Sequence, residues 1–301
     1  MRPEVEQAFR ALHEDRPGAL ERALSLLQDT VFAFSMKACG HRQDAEDAMQ
    51  ETLVRAAAQL SRISSPQGLA VWLYKVARSR CLMSRRKSKF APRAHLSLEE
   101  LLPDRRELES LAASDHPTPE AVLLRGEAAE KLKAAVQKLP PAYRLILVLH
   151  DMEDLSSAEI ARISGLREPT VRVRLHRARV FLRNELARAT TRPARRAPRP
   201  ASPAARPRRC RQLFAALSDY LDDALDETMC DALEEHLSGC QPCEAFLASL
   251  EQAVEQCRQY QPGHPDRKRA AKVRRQLLEK YRLALQSAKR ATLPPSGQPP
   301  L

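Results

Sequence analysis

Apolar residues recur at steps of three and four along most of the chain, the period of a helix that buries one face. The clearest stripe of the first segment comprises Leu20, Leu24, Leu27, Val31, Phe34 and Ala38. Ser65 followed by Pro66 predicts a further helix start, because serine caps helices and proline fits their first position. Only 8 of the 301 residues are glycine and only 4% are aromatic, which disfavours sheet. The pattern therefore predicts an all-α fold.

A second pattern, between residues 156 and 186, predicts a helix-turn-helix. Ser156 and Glu159 have the spacing of a capping box, and Gly165 can provide the tight turn. Glu168 and Pro169 then open a second helix. The buried face of that helix is predicted to be Val171, Leu175, Ala178, Leu182 and Leu186.

Arginines flank this buried face, which is typical of a DNA recognition helix that follows a tight turn. A solvated basic face is the alternative interpretation. Side chains near the helix start could reach base edges, and these are Thr170, Arg172 and Arg174. Those better placed for phosphates are Arg177, Arg179 and Arg183.

Charge and proline content indicate where the domains end. The net charge is +12, yet residues 210–257 contain eleven acidic residues and one basic residue. This acidic segment follows a Pro/Ala/Arg tract at 192–209, which reads as a linker, and precedes a basic tail. The predicted segments are a helical domain at 4–90, a linker at 91–118, a helix-turn-helix domain at 119–189, a linker at 190–209, a small domain at 210–257 and a partly disordered tail at 258–301.

The acidic segment contains the residue types that bind zinc. His236, Cys240 and Cys243 lie within eight residues, and Cys210 at the start of the segment completes a Cys₃His set. Thiolates and imidazole suit Zn²⁺ in tetrahedral geometry. Cys230 is the competing fourth ligand, although on a continuous helix it would point away from His236. We expect one zinc ion, because so short a segment is small for an unaided core.

Other features narrow the functional class. No apolar run approaches the roughly 18–20 residues that cross a bilayer, and the charged first residues lack a signal peptide, so we expect no membrane span and a cytoplasmic protein. Cys39, Cys81 and Cys257 have no partner pattern and are expected to be buried thiols. Four protein ligands would close the zinc ion to water, and no catalytic triad or phosphate-binding loop is present, so we expect no enzyme activity.

The order of motifs over about residues 5–188 resembles the extracytoplasmic-function group of sigma factors, the promoter-specificity subunits of bacterial RNA polymerase. The motifs that carry the resemblance are "DAEDAMQE", "WLYKVARSR", "LPPAYR" and "EIARISGLREPTVRVRLHRAR". The resemblance implies that the first domain binds core RNA polymerase through the helix containing "DAEDAMQE". The implied polymerase-binding residues are Asp44, Asp47, Gln50 and Glu51.

The same resemblance implies how promoter DNA is bound. The helix with Trp72, Tyr74 and Lys75 would face the −10 element, and the helix-turn-helix would read the −35 element. Phosphate contacts from the first domain would come from Arg78, Arg80, Arg85, Arg86 and Lys87. Ser79 and Met83 depart from the residues that the family often has there, so the resemblance does not extend to −10 specificity.

Residues 210–257 resemble the zinc-binding anti-sigma domain, which implies that the segment restrains the sigma domains of its own chain or binds another protein. The sequence therefore predicts a sigma factor regulated by its own zinc-binding domain. The alternative is a zinc- or redox-sensing helix-turn-helix regulator that does not bind core polymerase. The tail is predicted to be an amphipathic helix whose apolar side contains Val273, Leu277, Tyr281 and Leu285. Contact with DNA, an anionic surface or the acidic segment is left open.

Overall fold

The computed structural model describes residues 2–14, 18–57, 59, 63–86, 96–97, 101, 125–190, 210 and 213–292. These residues form helices, turns and loops without a strand, which confirms the all-α prediction. The chain divides into two compact units, one of residues 1–87 with 261–301 and one of residues 88–260. The predicted linkers at 91–118 and 190–209 lie almost entirely outside the described residues.

The helices are numbered in chain order. They are α1 (Pro3–Leu12), α2 (Ala19–Cys39), α3 (Arg42–Ala57), α4 (Pro66–Arg86), α5 (Arg125–Lys138), α6 (Pro141–Leu147), α7 (Ser157–Ser164), α8 (Glu168–Thr190), α9 (Leu217–Leu221), α10 (Glu227–Gly239), α11 (Gln241–Gln259) and α12 (Arg267–Thr292). A π-helical turn, Val148–Met152, continues α6.

The first unit packs α1 to α4 around the predicted apolar stripe. Leu27 and Phe34 are fully buried, and the ring of Tyr74 meets Phe34 edge-on with centroids 5.0 Å apart. The predicted cap of α4 is present, since the Gly68 amide donates to Ser65 Oγ at 3.1 Å. Helix α12 packs against α2 and α3. Residues 261–292 of the predicted tail therefore belong to this unit.

Two cysteines of the first unit differ from the prediction of free thiols. Cys39, at the end of α2, and Cys81, on α4, form a disulfide across 42 positions of the chain. The packing of α2 and α4 brings them together, and no local spacing in the sequence indicates this. Cys257 is a buried thiol outside the disulfide, as predicted.

The second unit contains the predicted helix-turn-helix. Ser156 and Glu159 form a reciprocal capping box at the start of α7. Gly165 ends α7 with a φ of +72°, a left-handed conformation that glycine adopts without a steric penalty. Helix α8 then buries Val171, Leu175, Ala178 and Leu182 of the predicted stripe, whereas Leu186 is partly exposed.

The acidic segment shares its hydrophobic core with the helix-turn-helix. Val180 of α8 lies in one buried cluster with residues of the segment, namely Leu213, Phe214, Leu217, Leu233, Phe246, Leu247 and Leu250. The segment at 210–257 was predicted as a separate domain. In the structure it lies in the same compact unit as the helix-turn-helix and completes its own core against α8.

Candidate metal centre and nucleic-acid interface

The four predicted zinc ligands lie together at the junction of α10 and α11. Their ligand atoms are all within 4.8 Å of one another. His236 Nε2 is 3.5 Å from Cys210 Sγ and 3.3 Å from Cys243 Sγ. His236 lies in the last turn of α10, Cys240 between the helices and Cys243 in the first turn of α11. Cys230, the competing ligand in the sequence analysis, is not part of this group.

The chemistry of this cluster fits a zinc ion. Burial raises the pKa of the Cys243 and Cys210 thiols, and the neighbouring Cys240 raises both further. Thiols that are close together resist losing protons unless a cation compensates their charge. Three sulfur donors and one nitrogen donor favour Zn²⁺, and four protein ligands would leave no coordination position for water.

The start of α8 remains accessible. Thr170 is partly exposed. Arg172 pairs with Glu168 at 2.6 Å while its side chain keeps 40% exposure. The Arg174 guanidinium lies over the Tyr143 ring, 5.9 Å from its centroid. These are the three residues predicted to reach base edges.

Sequence reasoning missed Val173 at the same helix start. It is 50% exposed, which is unusual for an apolar side chain. Its position off the buried stripe of α8 was the available signal, because a valine there has no core to enter. An exposed apolar group among residues that are predicted to contact bases can touch a thymine methyl group.

Arg179 is not placed to contact phosphate, and that prediction is wrong for this structure. Its side chain is fully buried. Its Nη2 atom donates to Asp151 Oδ1 at 2.5 Å and to Asp222 Oδ1 at 2.8 Å. Asp151 lies on the π-helical turn of the helix-turn-helix domain, whereas Asp222 follows α9 in the acidic segment. The buried charge is therefore satisfied from both sides of one interface.

The pKa of Asp151 shows how strongly this network is coupled. Burial alone would favour the neutral carboxyl group, but the charge and hydrogen bonds of Arg179 outweigh it and hold the pKa of Asp151 below its usual value. The carboxylates in turn raise the pKa of Arg179, against the opposing effect of burial. The pair is consequently ionised at neutral pH.

Arg183 is also covered in this structure, so its prediction as a phosphate contact is likewise not met. It is 6% exposed. Its Nε atom donates to Ser249 Oγ at 2.9 Å, and its guanidinium lies 4.5 Å from the centroid of the Phe246 ring. Both partners belong to α11. Arg177, the third predicted phosphate contact, is partly buried and donates to the Leu96 carbonyl at 3.1 Å.

His176 completes the covered flank of α8. Its Nδ1 atom lies 2.9 Å from Ser218 Oγ of α9. Burial, followed by the charges of Arg179 and Arg177, lowers the pKa of His176 to about 4. The imidazole is therefore neutral at physiological pH.

The acidic face of α3 contains the four predicted polymerase-binding residues. Asp47 is exposed and pairs with Arg269 of α12 at 2.6 Å. Glu51 pairs with Arg55 and with Arg80, whereas Asp44 and Gln50 are partly exposed. The sequence analysis did not select Glu46, which is buried.

Of the residues predicted to contact the −10 element, some are buried in the first unit and others are accessible. Tyr74 is 2% exposed and belongs to the core, so it is not available to DNA. Trp72 and Arg78 are partly exposed, and Lys75 is exposed. The side chains of Arg85 and Arg86 lie outside the described part of the chain, as does Lys87.

Within the described residues, no helix combines the length and the apolar character that crossing a membrane requires.

Three family models match the chain in order. "Sigma-70 region 2" matches residues 24–90, "Sigma-70, region 4" matches residues 129–182, and "Putative zinc-finger" matches residues 210–243. The first match contains α3, and the second includes α8 as far as residue 182. The third begins and ends at Cys210 and Cys243, two of the clustered ligands.

Curated relatives carry sigma-factor names. The ECF RNA polymerase sigma factor SigW of Bacillus subtilis is 25% identical over 60% of this chain and 96% of its own length. SigE of Mycolicibacterium smegmatis is 34% identical over 53% of this chain and 58% of its own. SigG of Mycobacterium tuberculosis is 28% identical over 86% of this chain and 72% of its own.

Proposed function

We propose that this chain, a sigma-70 protein of the extracytoplasmic-function group, directs core RNA polymerase to specific promoters and starts transcription. The observation that carries the proposal is the succession of sigma-70 regions 2 and 4 on one chain, with the acidic helix α3 in the first and the basic helix α8 in the second. A helix-turn-helix regulator that ignores polymerase would not account for a region 2 match over 24–90.

The residue roles follow from accessibility and charge. Asp44, Asp47, Gln50 and Glu51 would meet a basic surface of core polymerase. At the start of α8, Arg172 and Arg174 would read the −35 element, since arginine pairs with the guanine edge in the major groove. The −10 element would contact the accessible side chains of α4. Such a factor is not an enzyme and acts where polymerase and DNA are, in the bacterial cytoplasm.

The zinc segment would hold one Zn²⁺ through Cys210, His236, Cys240 and Cys243. When bound, the ion would join Cys210, at the start of the segment, to the junction of α10 and α11. This bond would stabilise a segment too small to keep its fold by apolar packing alone.

The zinc segment would also restrain region 4. Along the flank of α8, Arg179 donates to Asp222 of the segment. Arg183 contacts Ser249 and Phe246 of the segment. Val180 lies in the hydrophobic core of the segment. Phosphates cannot approach this flank while the segment is docked. Undocking would expose Arg183 and leave Arg179 paired only within its own domain.

Run-off transcription with purified core polymerase tests the proposal. The full chain is compared with a truncation after residue 190, which removes the zinc segment and the tail together. We expect promoter-specific transcripts that require core polymerase and that increase in the truncated form. Absence of core binding by both forms at low salt would refute the sigma-factor function. Equal or lower activity of the truncated form would refute the restraint.

A further inference from the structure

We propose that α12 is a built-in competitor of core polymerase, because it occupies the acidic face of α3. The inference rests on the proposed function, since it takes α3 to be the polymerase-binding helix. It concerns the basic tail, a part of the chain that lies outside all three family matches.

The first argument is the set of ion pairs. Arg269, in the first turn of α12, reaches two carboxylates of α3, with Nη1 2.7 Å from Glu46 Oε2 and Nη2 2.6 Å from Asp47 Oδ1. The same Nη1 atom is 3.3 Å from Gln43 Oε1. Arg42 at the start of α3 donates to the His264 carbonyl just before α12, at 3.1 Å. A basic helix thus already satisfies the charges that would attract a basic partner.

The second argument is that α12 packs against the first unit through a buried apolar face, which is called its seat below. Ala270, Val273 and Leu277 lie on one side of the helix and are 6%, 4% and 1% exposed. The side chain of Gln28 on α2 donates to the Ala270 carbonyl at 3.0 Å, and both groups are buried. An accidental surface contact would not bury three consecutive positions of a helical stripe together with a satisfied polar group.

A third contact fixes the helix without touching α3. Arg274 donates to Ser25 Oγ of α2 at 3.0 Å. The apolar stripe and this hydrogen bond position α12, and Arg269 then projects from it towards α3. Different residues of the same helix therefore position α12 and compete with polymerase for α3. Mutations can test the two roles separately.

The ion pair between Arg269 and Asp47 can be replaced by a contact with polymerase. The side chains of Asp47 and Arg269 keep 59% and 33% exposure, so water and salt screen their attraction. Core polymerase cannot engage Asp47 while Arg269 occupies it. Binding of polymerase must then include displacement of the first turns of α12, and the cost of displacement lowers the apparent affinity.

The test measures the affinity of the full chain for core polymerase in three charge-reversal variants. Arg269→Glu breaks the ion pairs with α3, and Arg274→Glu loosens the seat without altering α3 or its partners. Arg275→Glu is the matched control, because Arg275 lies on the same helix, carries the same charge and is exposed. Thermal melts and circular dichroism of all variants establish that the first unit remains folded.

We expect Arg269→Glu and Arg274→Glu each to bind core polymerase about fivefold more tightly than the wild type, a modest coupling free energy. Arg275→Glu should differ little from the wild type. Hydrogen exchange should show faster amide exchange at the start of α12 in the first two variants, and in the wild type when polymerase is bound.

The outcomes distinguish failure of the competitor role from failure of the proposed function. If the wild type and Arg269→Glu bind equally tightly, or if α12 stays protected in the complex, the competitor role is wrong while the sigma-factor function stands. If Arg275→Glu strengthens binding as much as Arg269→Glu, net charge alone explains the gain and the competitor role is again wrong. If no form binds core polymerase, the proposed function itself is wrong.

Discussion

Helices α8 and α3 each present a charged face predicted to bind a partner outside the chain, and a later part of the chain covers each of them. The cover of α8 is acidic and that of α3 is basic, so both contacts follow the charge map of the sequence. They differ in burial. Arg179 is fully buried between Asp151 and Asp222, whereas the Asp47 carboxylate that pairs with Arg269 remains 59% exposed.

This difference indicates two kinds of regulation. The contact on α8 includes a shared hydrophobic core and a buried charge, both of which are costly to expose. On α3 the pair of Asp47 with Arg269 is solvated and can exchange partners at small cost, whereas Glu46, the second carboxylate that Arg269 contacts, is buried. We therefore expect the zinc segment to need a strong signal to leave, and the tail to yield to polymerase itself.

Loss of the metal should have the largest effect, because it should remove the cover of α8 and leave the cover of α3 in place. Cys243→Ala, or treatment with a zinc chelator, should remove about one equivalent of zinc and unfold α9 to α11, because binding free energy is folding free energy in such sites. Metal analysis and proteolysis measure both effects, and α12 should keep its protection. Cys230→Ala is the matched control and should retain the metal. Full zinc retention in Cys243→Ala would contradict the ligand assignment.

Removal of the buried charge should have the next largest effect. Arg179→Met leaves Asp151 buried without its main partner, which should lower the free energy of unfolding of the second unit by about 3–5 kcal/mol. Arg188→Met is the control on the same helix, because Arg188 is 65% exposed and its partner Glu185 keeps a second ion pair with Lys138, so the loss should be less than about 1 kcal/mol. A stable Arg179→Met variant with a smaller salt dependence of DNA binding would instead restore the phosphate-contact interpretation.

Two adjacent aspartates allow the effect of docking on DNA affinity to be distinguished from the effect of net charge. Asp222→Asn weakens the bond across the interface but leaves Arg179 paired with Asp151. We expect DNA affinity to rise about fivefold or more, because the docked state is less favoured. Asp223→Asn makes the same charge change at an exposed position and should alter affinity little. The interface would not restrain DNA binding if both variants gained affinity equally or neither gained any.

Mild acidification, to about pH 6, should give the smallest effect, and its sign follows from the lowered pKa of His176, about 4. Below the unfolded pKa of about 6.5, the unfolded chain takes up a proton that the folded chain does not. Stability is therefore lost as pH falls from about 6.5 towards 4, by roughly 1 kcal/mol at about pH 6.

A denaturation series at several pH values checks this expectation. His176→Gln can keep the hydrogen bond to Ser218 and cannot titrate, so the wild type should lose more stability than this variant. Zinc release at low pH affects both proteins and cancels in the difference. Identical pH profiles would show that His176 does not sense acid through the interface.

Much of the fold was predictable because its signals are local. The cap at Ser65, the capping box of Ser156 and Glu159, and the turn at Gly165 each depend on residues within one or two helical turns. The buried stripe of α8 follows from the helical period. The cluster of one histidine and three cysteines was predictable for a related reason, since three of its residues lie within eight positions and only Cys210 had to be chosen over Cys230.

The remaining contacts were decided by tertiary structure. The sequence alone determined that α8 carries a row of arginines, but the same period fits an arginine facing phosphate and one facing a buried carboxylate. Asp151 and Asp222 lie 28 and 43 positions from Arg179, and Arg269 lies more than 200 positions from its partners on α3. The disulfide of Cys39 and Cys81 likewise joins residues far apart in the sequence, 42 positions from one another. Spacing predicts contacts only within a helix or turn, whereas the partner of a charge or thiol at its surface depends on how separate helices pack.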